Sequence, residues 1–566
     1  MKTMRTSILA LLGLIWMANT SFGATWFLQG TGDFDNPTTW CTITNGGPNG
    51  VPDVGDTLQF YGGEAPWPMW DADYTITLNT NQTVTRWDQG YWKTTVRLAL
   101  NGHDFTVTDA ASHVLSEGSE LTWPTANYVS GGGTLTINGH SASGRAASGF
   151  FLSGTGTKMV LNGDNGNLLG GSPGNEARIL VSGGATVTGT TTWASTRVGG
   201  RDSLVTPLPS AIIHLSDPGT RMDLNGGPMV VGDQGQGQLI VTNGAAFTTS
   251  GGINLGGWQY GGVEYDGTNG HGTIRVDGAG TTFSAATMDV GMYSTGVVQV
   301  VHGGMLTNIA YYRGIRLGAG YSESLLLTGG TNTAAYGILE VANPGSRVDV
   351  DVLVVGIEGT GEVTVSDNAV LAAAGSCSFK NSKLTVSDAE MTMGGNLTMA
   401  GSATNTIRIE LGARNPTTAY IQMGLALDLT ASTTLDLAVL CNFSAAVDQT
   451  IKLIGYGSLI GTFSNYADQA IITKGAYKFK ITYGANDISL TVTEVNSPTP
   501  PTLNFLPGVS DLTFSWSEAG FKLQSQTNGL STGNWFDYSG GGTSPVTVPV
   551  NPANPTVFFR LKSTCP

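Results

Sequence analysis

Residues 179–187 read ILVSGGATV, 239–247 LIVTNGAAF, 298–306 VQVVHGGML and 363–371 VTVSDNAVL, one phrase four times at intervals of about 60 residues. Around it a longer unit recurs, beginning with a small-residue turn: Asp217-Pro218-Gly219-Thr220, Gly278-Ala279-Gly280-Thr281 and Asn343-Pro344-Gly345-Ser346. An apolar run ending in glycine follows each turn, as in Met229-Val230-Val231-Gly232, Met288-Asp289-Val290-Gly291 and Leu353-Val354-Val355-Gly356. A fixed long period marks stacked units that cannot bury their apolar face alone.

Working outward, residues 101–400 consist of short alternating segments punctuated by Gly, Asn and Asp, such as Phe105-Thr106-Val107-Thr108, Thr134-Leu135-Thr136-Ile137 and Leu384-Thr385-Val386. Alternation of apolar and polar residues is the period of a half-buried strand, and no window there has a helical period. Short strands on circuits of about 20 residues predict an all-β fold and fit a β-helix better than a sandwich. The 60-residue repeat would then be three circuits, and some 20 circuits would stack to a rod on the order of 100 Å.

The flanking segments complete the division. Residues 1–23 read as a secretory signal peptide: Lys2 and Arg5, an apolar Ser7–Met17 stretch too short to span a bilayer, and Ser21-Phe22-Gly23 as the cleavage site. Residues 24–100 hold Trp26, Trp40, Trp67, Trp70, Trp87 and Trp92, a composition suited to capping the open apolar end of a stack. Residues 401–494 keep the strand pattern without the phrase and read as its C-terminal end. Residues 495–502 are a proline-rich linker, and 503–566 form a separate all-β module.

The chain carries a formal charge of −15, or −17 once Lys2 and Arg5 are removed. That sign argues against nucleic acid and anionic membrane as partners. No second long apolar run suggests a transmembrane segment in the mature chain. Charged residues make only 12% of the chain while 81 residues are Gly; with 40% apolar residues in alternating patterns, this is a text of turns between strands rather than of disorder. Four cysteines (Cys41, Cys377, Cys441, Cys565) are too few for a disulfide framework. Cys377 and Cys441 are the expected pair if one forms, provided a loop folds back to bring them together.

The units resemble the autotransporter/PEP-CTERM-associated repeat of exported bacterial proteins. The pattern stands as Asn343-Pro344-Gly345-Ser346, Leu353-Val354-Val355-Gly356, Gly359-Thr360-Gly361 and Val363-Thr364-Val365. The unit from Asp217 through Phe247 matches as well, with Gly235-Gln236-Gly237-Gln238-Leu239-Ile240-Val241, and the unit from Gly278 more loosely. Trp26, Asn36-Pro37-Thr38-Thr39-Trp40 and Gly55-Asp56-Thr57 look like the opening of such proteins; Ile451-Lys452-Leu453-Ile454, Gly461-Thr462-Phe463 and Tyr483 to Leu490 look like their close. The resemblance implies a right-handed β-helix, a secreted or cell-surface location in a Gram-negative bacterium, and no catalytic residues to carry over. Neither a terminal membrane barrel nor a PEP-CTERM ending follows. The last module instead resembles immunoglobulin/fibronectin-like domains, through Trp516, Leu523, Trp535 and Phe558-Phe559-Arg560-Leu561.

Candidate chemistry is sparse. Gly270-His271-Gly272 resembles a motif of polygalacturonase-type hydrolases, yet no Asp-Asp pair precedes it, and those enzymes need two carboxylates. It reads better as the opening of a strand. Asp349 and Asp351 share a strand face and could hold Ca²⁺, but the alternating Val residues make them the solvated set. The turns at Gly232-Asp233-Gln234-Gly235 and Gly163-Asp164-Asn165-Gly166 lack the spacing of calcium-binding solenoids. Trp67 and Trp70, beside Pro66 and Pro68, are the candidate glycan contacts, since exposed indoles stack on sugar faces; otherwise they pack as part of the cap. No phosphate loop, nucleophile elbow or His-Glu-x-x-His helix is present, so no catalytic residue, metal or cofactor is expected. The expected role is adhesion or structure on an exported, non-catalytic β-helical protein, toward a surface protein or a polysaccharide. The alternative is a polysaccharide-binding or carbohydrate-active protein on the same scaffold.

Overall fold

The computed structural model describes residues 24–28, 31–41, 48–60, 72–89, 94–108, 125–138, 148–162, 176–191, 196–199, 210–232, 235–257, 270–308, 314–319, 335–357, 359–401, 405–414, 417–495, 501–517, 521–527, 535–551, 554 and 556–563. Among them the chain is all-β, with one short 3-10 helix at Pro37–Thr39. The signal peptide and most of the proline-rich linker lie outside the described residues.

The architecture is β-helix-like. Strands from successive circuits add in parallel to a 15-stranded sheet, among them Glu176–Ser182, Ser210–Leu215, Gln236–Thr242, His271–Asp277, Thr295–Val301, Tyr336–Ala342 and Thr360–Ser366. From each of these the chain turns into a second strand and then a third before returning. In two neighbouring circuits the second and third limbs are halves of a single strand, Ala246–Leu255 and Thr282–Val290, whose mutual register shifts between Thr249 and Gly252.

Alternation sorts the side chains. In the long sheet the inward columns run Ile213–Leu239–Ile274–Val298–Leu339–Val363 and Leu215–Val241–Val276–Val300–Val341–Val365, in register and fully buried. On the third limb Met288, Ile315, Leu353, Cys377 and Leu397 form another such column. Phe247 and Phe283 stack at 4.8 Å between adjacent circuits, the spacing of neighbouring strands. Each buried Leu, Ile or Phe removes enough apolar surface to contribute about 1.5–3 kcal/mol, and one circuit supplies several.

The circuits are longer than the sequence suggests. Long-sheet strands begin at His271, Thr295 and Tyr336, so one circuit takes 24 residues and the next 41. The 60-residue repeat is therefore two circuits rather than three, and fifteen strands stack to about 67 Å rather than 100 Å. From Glu176 to Thr360 long and short circuits alternate, successive long-sheet strands beginning 34, 26, 35, 24, 41 and 24 residues apart.

The corner between the first and second limbs alternates too. In the repeated phrase, Asn243-Gly244, His302-Gly303 and Asp367-Asn368 hold both central residues at positive φ, closed by Ala245 N–H to Thr242 O, Gly304 N–H to Val301 O and Ala369 N–H to Ser366 O. The intervening circuits use the other turn. In Asp217-Pro218-Gly219-Thr220 and Asn343-Pro344-Gly345-Ser346 the third residue is a glycine near φ +83 and the fourth donates its N–H to the first carbonyl, the geometry of a type II turn with Pro in its favoured place. The phrase and the small-residue turn are two versions of one corner.

Both ends are closed. At the N-terminal end Trp40 and Trp87 are buried against Phe34 and Phe105, edge to face at 5.2–5.8 Å, and Trp26 donates its indole N–H to Asp56 at 2.7 Å. At the other end Ile471–Lys474, Tyr477–Tyr483 and Asp487–Val495 form antiparallel strands against Thr450–Gly455. Beyond 501, two three-stranded antiparallel sheets enclose Phe514, Trp516, Leu523, Val546 and Val548.

The expected Cys377–Cys441 pair does not form. Cys377 is a free thiol inside the apolar column, pushed up to about 12 by burial, whereas Cys441 is disulfide-bonded. Cys41 is a buried thiol.

Candidate functional site

Three classes of outward group bear on function: the residues singled out above, the charges on the strand faces, and one concavity near the C-terminal end. Trp67 and Trp70 lie outside the described residues, as do Asp233, Gln234 and Gly163 to Gly166. His271 begins a long-sheet strand, exposed, with its backbone N–H given to Gly235 O at 2.9 Å. Val348 and Val350 are buried, and Asp349 faces outward, where Arg347 pairs with it at 2.7 Å. Asp351 follows half-buried.

That Arg–Asp pair belongs to a series. Arg275 pairs with Asp277 at 2.7 Å and Arg408 with Glu410 at 2.7 Å, and Arg221–Asp223 and Arg178–Glu176 make the same contact. Residues two apart on a strand share a face, so an Arg-x-Asp step forms an ion pair along one strand. Circuits are joined as well: Arg316 pairs with Asp289 and Arg408 with Asp436 across neighbouring strands, and Gln299 bridges Arg275 to Glu340 at 3.4 and 2.8 Å. His302 reaches Asp277 at 2.8 Å. Burial alone would raise Asp277, but hydrogen bonds from Arg275 and His302 outweigh it and hold the carboxyl below its usual value. Carboxylates held this way serve as acceptors within the stack. The signal is visible as a recurring Arg-x-Asp/Glu, although its meaning needs the outward parity of the strands. Among the described residues no three His, Cys, Asp or Glu converge as a metal site.

An aromatic ladder lies on the outer face nearer the N-terminal end. Tyr128 and Phe151 stack at 4.5 Å and nearly parallel, and Arg97 covers the other face of Tyr128 at 4.3 Å. Both faces of Tyr128 are thus occupied.

The concavity has a volume of about 490 Å³. It forms where Thr450–Gly455 lies between the parallel strand Ile421–Met423 and the antiparallel strand Asp487–Val495. Gln422, Gly455 and Asp487 stand side by side across these strands, and the central residue has no side chain. Lys452 enters beside them, its Nζ 3.4 Å from Asp487 Oδ2. Tyr456 is buried beneath, with its hydroxyl on Gly484 O at 2.9 Å and Asp487 O at 3.0 Å, and burial with the nearby Asp487 charge pushes it up to about 12. Sequence reading passed over this place because Lys452 and Asp487 are 35 positions apart and Gly455 looks like any other turn glycine.

No protein-family profile matches this chain, and no curated protein matches it either.

Proposed function

We propose that this is an exported, non-catalytic surface or extracellular protein of a Gram-negative bacterium, a right-handed parallel β-helix of the autotransporter/PEP-CTERM-associated repeat kind carrying a small immunoglobulin/fibronectin-like β-sandwich. Its role is adhesive or structural. One observation carries the reading: circuit after circuit, outward carboxylates are answered by an arginine on their own strand or the next, as at Asp223, Asp277, Asp289, Asp349 and Glu410. Acid–base chemistry needs carboxylates with separated proton affinities facing a substrate; these are spent in holding a regular outer surface. Expression of the full precursor in a Gram-negative host tests the reading. It predicts a mature N-terminus at Ala24, protein in the exported fraction, retention on coated surfaces, and no new reducing ends from a polysaccharide panel. Cytoplasmic retention or polysaccharide cleavage would overturn it. The polysaccharide-binding alternative is supported by the mixed polar character of the concavity, and is tested by a glycan array run beside Trp67→Ala and Trp70→Ala variants.

A further inference from the structure

We infer that the trough over Gly455 is a binding subsite for an uncharged saccharide, with Asp487 and Lys452 sharing one hydroxyl group and the amides of Gln422 and Asn486 contacting its neighbours. Three observations support it. First, the trough is made by a missing side chain at a strand junction: a Cβ on Gly455 would come within 2.2 Å of Gln422 Oε1, so the group nearest the floor is the far end of a flexible amide. Gln422 is itself exposed, and it gives its amide N–H to Met423 O at 3.1 Å. Second, the floor is fixed. Tyr456 ties the 484–487 segment to this corner through its hydroxyl, and its own N–H goes to Asn486 O at 2.9 Å; a rigid floor limits the ordering cost of binding. Third, the charges choose the ligand.

Asp487 accepts and Lys452 donates, and the two atoms are 3.4 Å apart. A hydroxyl placed between them gives its hydrogen to the carboxylate and accepts from the ammonium, so both remain paired when it binds. A carboxylate or phosphate on the ligand would face Asp487, and a cation would face Lys452. Each charged ligand therefore meets one like charge, whereas a neutral polyol meets none. The amides of Gln422 and Asn486 can donate and accept, which suits the adjacent hydroxyls of a sugar ring. The volume lies within the range of small-molecule sites. This inference goes beyond the adhesive reading and stands whether or not the rod is an adhesin.

Full-length mature protein is titrated with maltotetraose, cellotetraose, galactose and N-acetylglucosamine, with galacturonate and inorganic phosphate as charged probes, by calorimetry and saturation-transfer NMR. Saturable binding of at least one neutral probe is expected, weakened at least tenfold in both Asp487→Asn and Lys452→Met, with Lys452→Arg retaining most of it. Circular dichroism and melting of the variants show whether the fold is intact; both side chains are partly exposed. If a variant fails to fold, Gly455→Ser, which fills the trough, takes its place. Binding of no neutral probe, binding of the charged probes alone, or binding unaffected by all these variants would overturn the subsite. None of these outcomes bears on export or surface retention.

Discussion

At the residue scale the tightest constraint is a column of small residues at the start of the long-sheet strands. Ala177, Ala211, Gly237, Gly272, Gly296, Gly337 and Gly361 pair in register. A Cβ on Gly272 would lie 2.2 Å from Val231 O, and one on Gly237 would lie 2.2 Å from Gly232 N, because the glycine corner ending the third limb presses there. We predict that Gly272→Ala lowers unfolding stability by about 1–3 kcal/mol, the usual range for overpacking. Gly542→Ala, with nothing within 4 Å of the added carbon, should change it by less than about 0.5 kcal/mol; denaturant titration reads both. Carboxylates give a second prediction. Asp217 is held low by the Gly183 N–H and the Asn243 amide, and Asp277 and Glu410 are held low by Arg and other hydrogen bonds that outweigh their burial. A depressed folded pKa contributes stability that is present above the unfolded value near 4 and is lost as pH falls through the folded one. Melting temperature should therefore be level from pH 7 to about 5 and fall below about 4, with the fall shallower in Asp217→Asn and Asp277→Asn. A midpoint that rises on acidification would contradict this. Which residues face inward was readable from alternation alone. The small column was not, since a glycine in a Gly-rich text does not announce that a neighbouring backbone needs its place.

Between elements, the two corner forms are coupled by a hydroxyl. Gly132, Gly184, Gly244 and Gly303 donate their N–H groups to the hydroxyls of Thr157, Thr220, Thr281 and Ser346 on the following circuit at 2.9–3.0 Å. Thr281 is fully buried and also gives its hydrogen to Asp277 O. Thr281→Val keeps the shape but strands the Gly244 N–H, a loss of about 1–3 kcal/mol. Thr281→Ser keeps the hydroxyl, as Ser346 does naturally, and should cost about 0.8 kcal/mol for the lost methyl. Equal effects in thermal or urea unfolding would show that the hydroxyl is not the tie. The turn residues themselves were legible, and so was the strand class. The number of circuits was not: phrase and turn looked like separate parts of one unit, when they are the same corner met on alternate passes.

For the whole molecule, the cysteines report how the chain is tied. Cys377 is a buried thiol in the apolar column, Cys41 is a buried thiol, and Cys441, just beyond the last long-sheet strand Thr433–Val439, is disulfide-bonded. We expect a non-reducing digest to recover Cys441 in a disulfide, and Cys377 to react with iodoacetamide only after denaturation. Recovery of Cys377 in a disulfide, or of Cys441 as a thiol in the oxidised protein, would refute this assignment. Spacing could not separate the free thiol from the bonded cysteine, because a cysteine's partner depends on where the chain returns. The alternating corners bear on ancestry. Between residues 131 and 346 each glycine corner is followed by a hydroxyl corner, so excising one circuit there would set two like corners face to face. Removing two neighbours would leave every join as before. Relatives of different length should therefore differ by even numbers of circuits, and the heritable module is the pair.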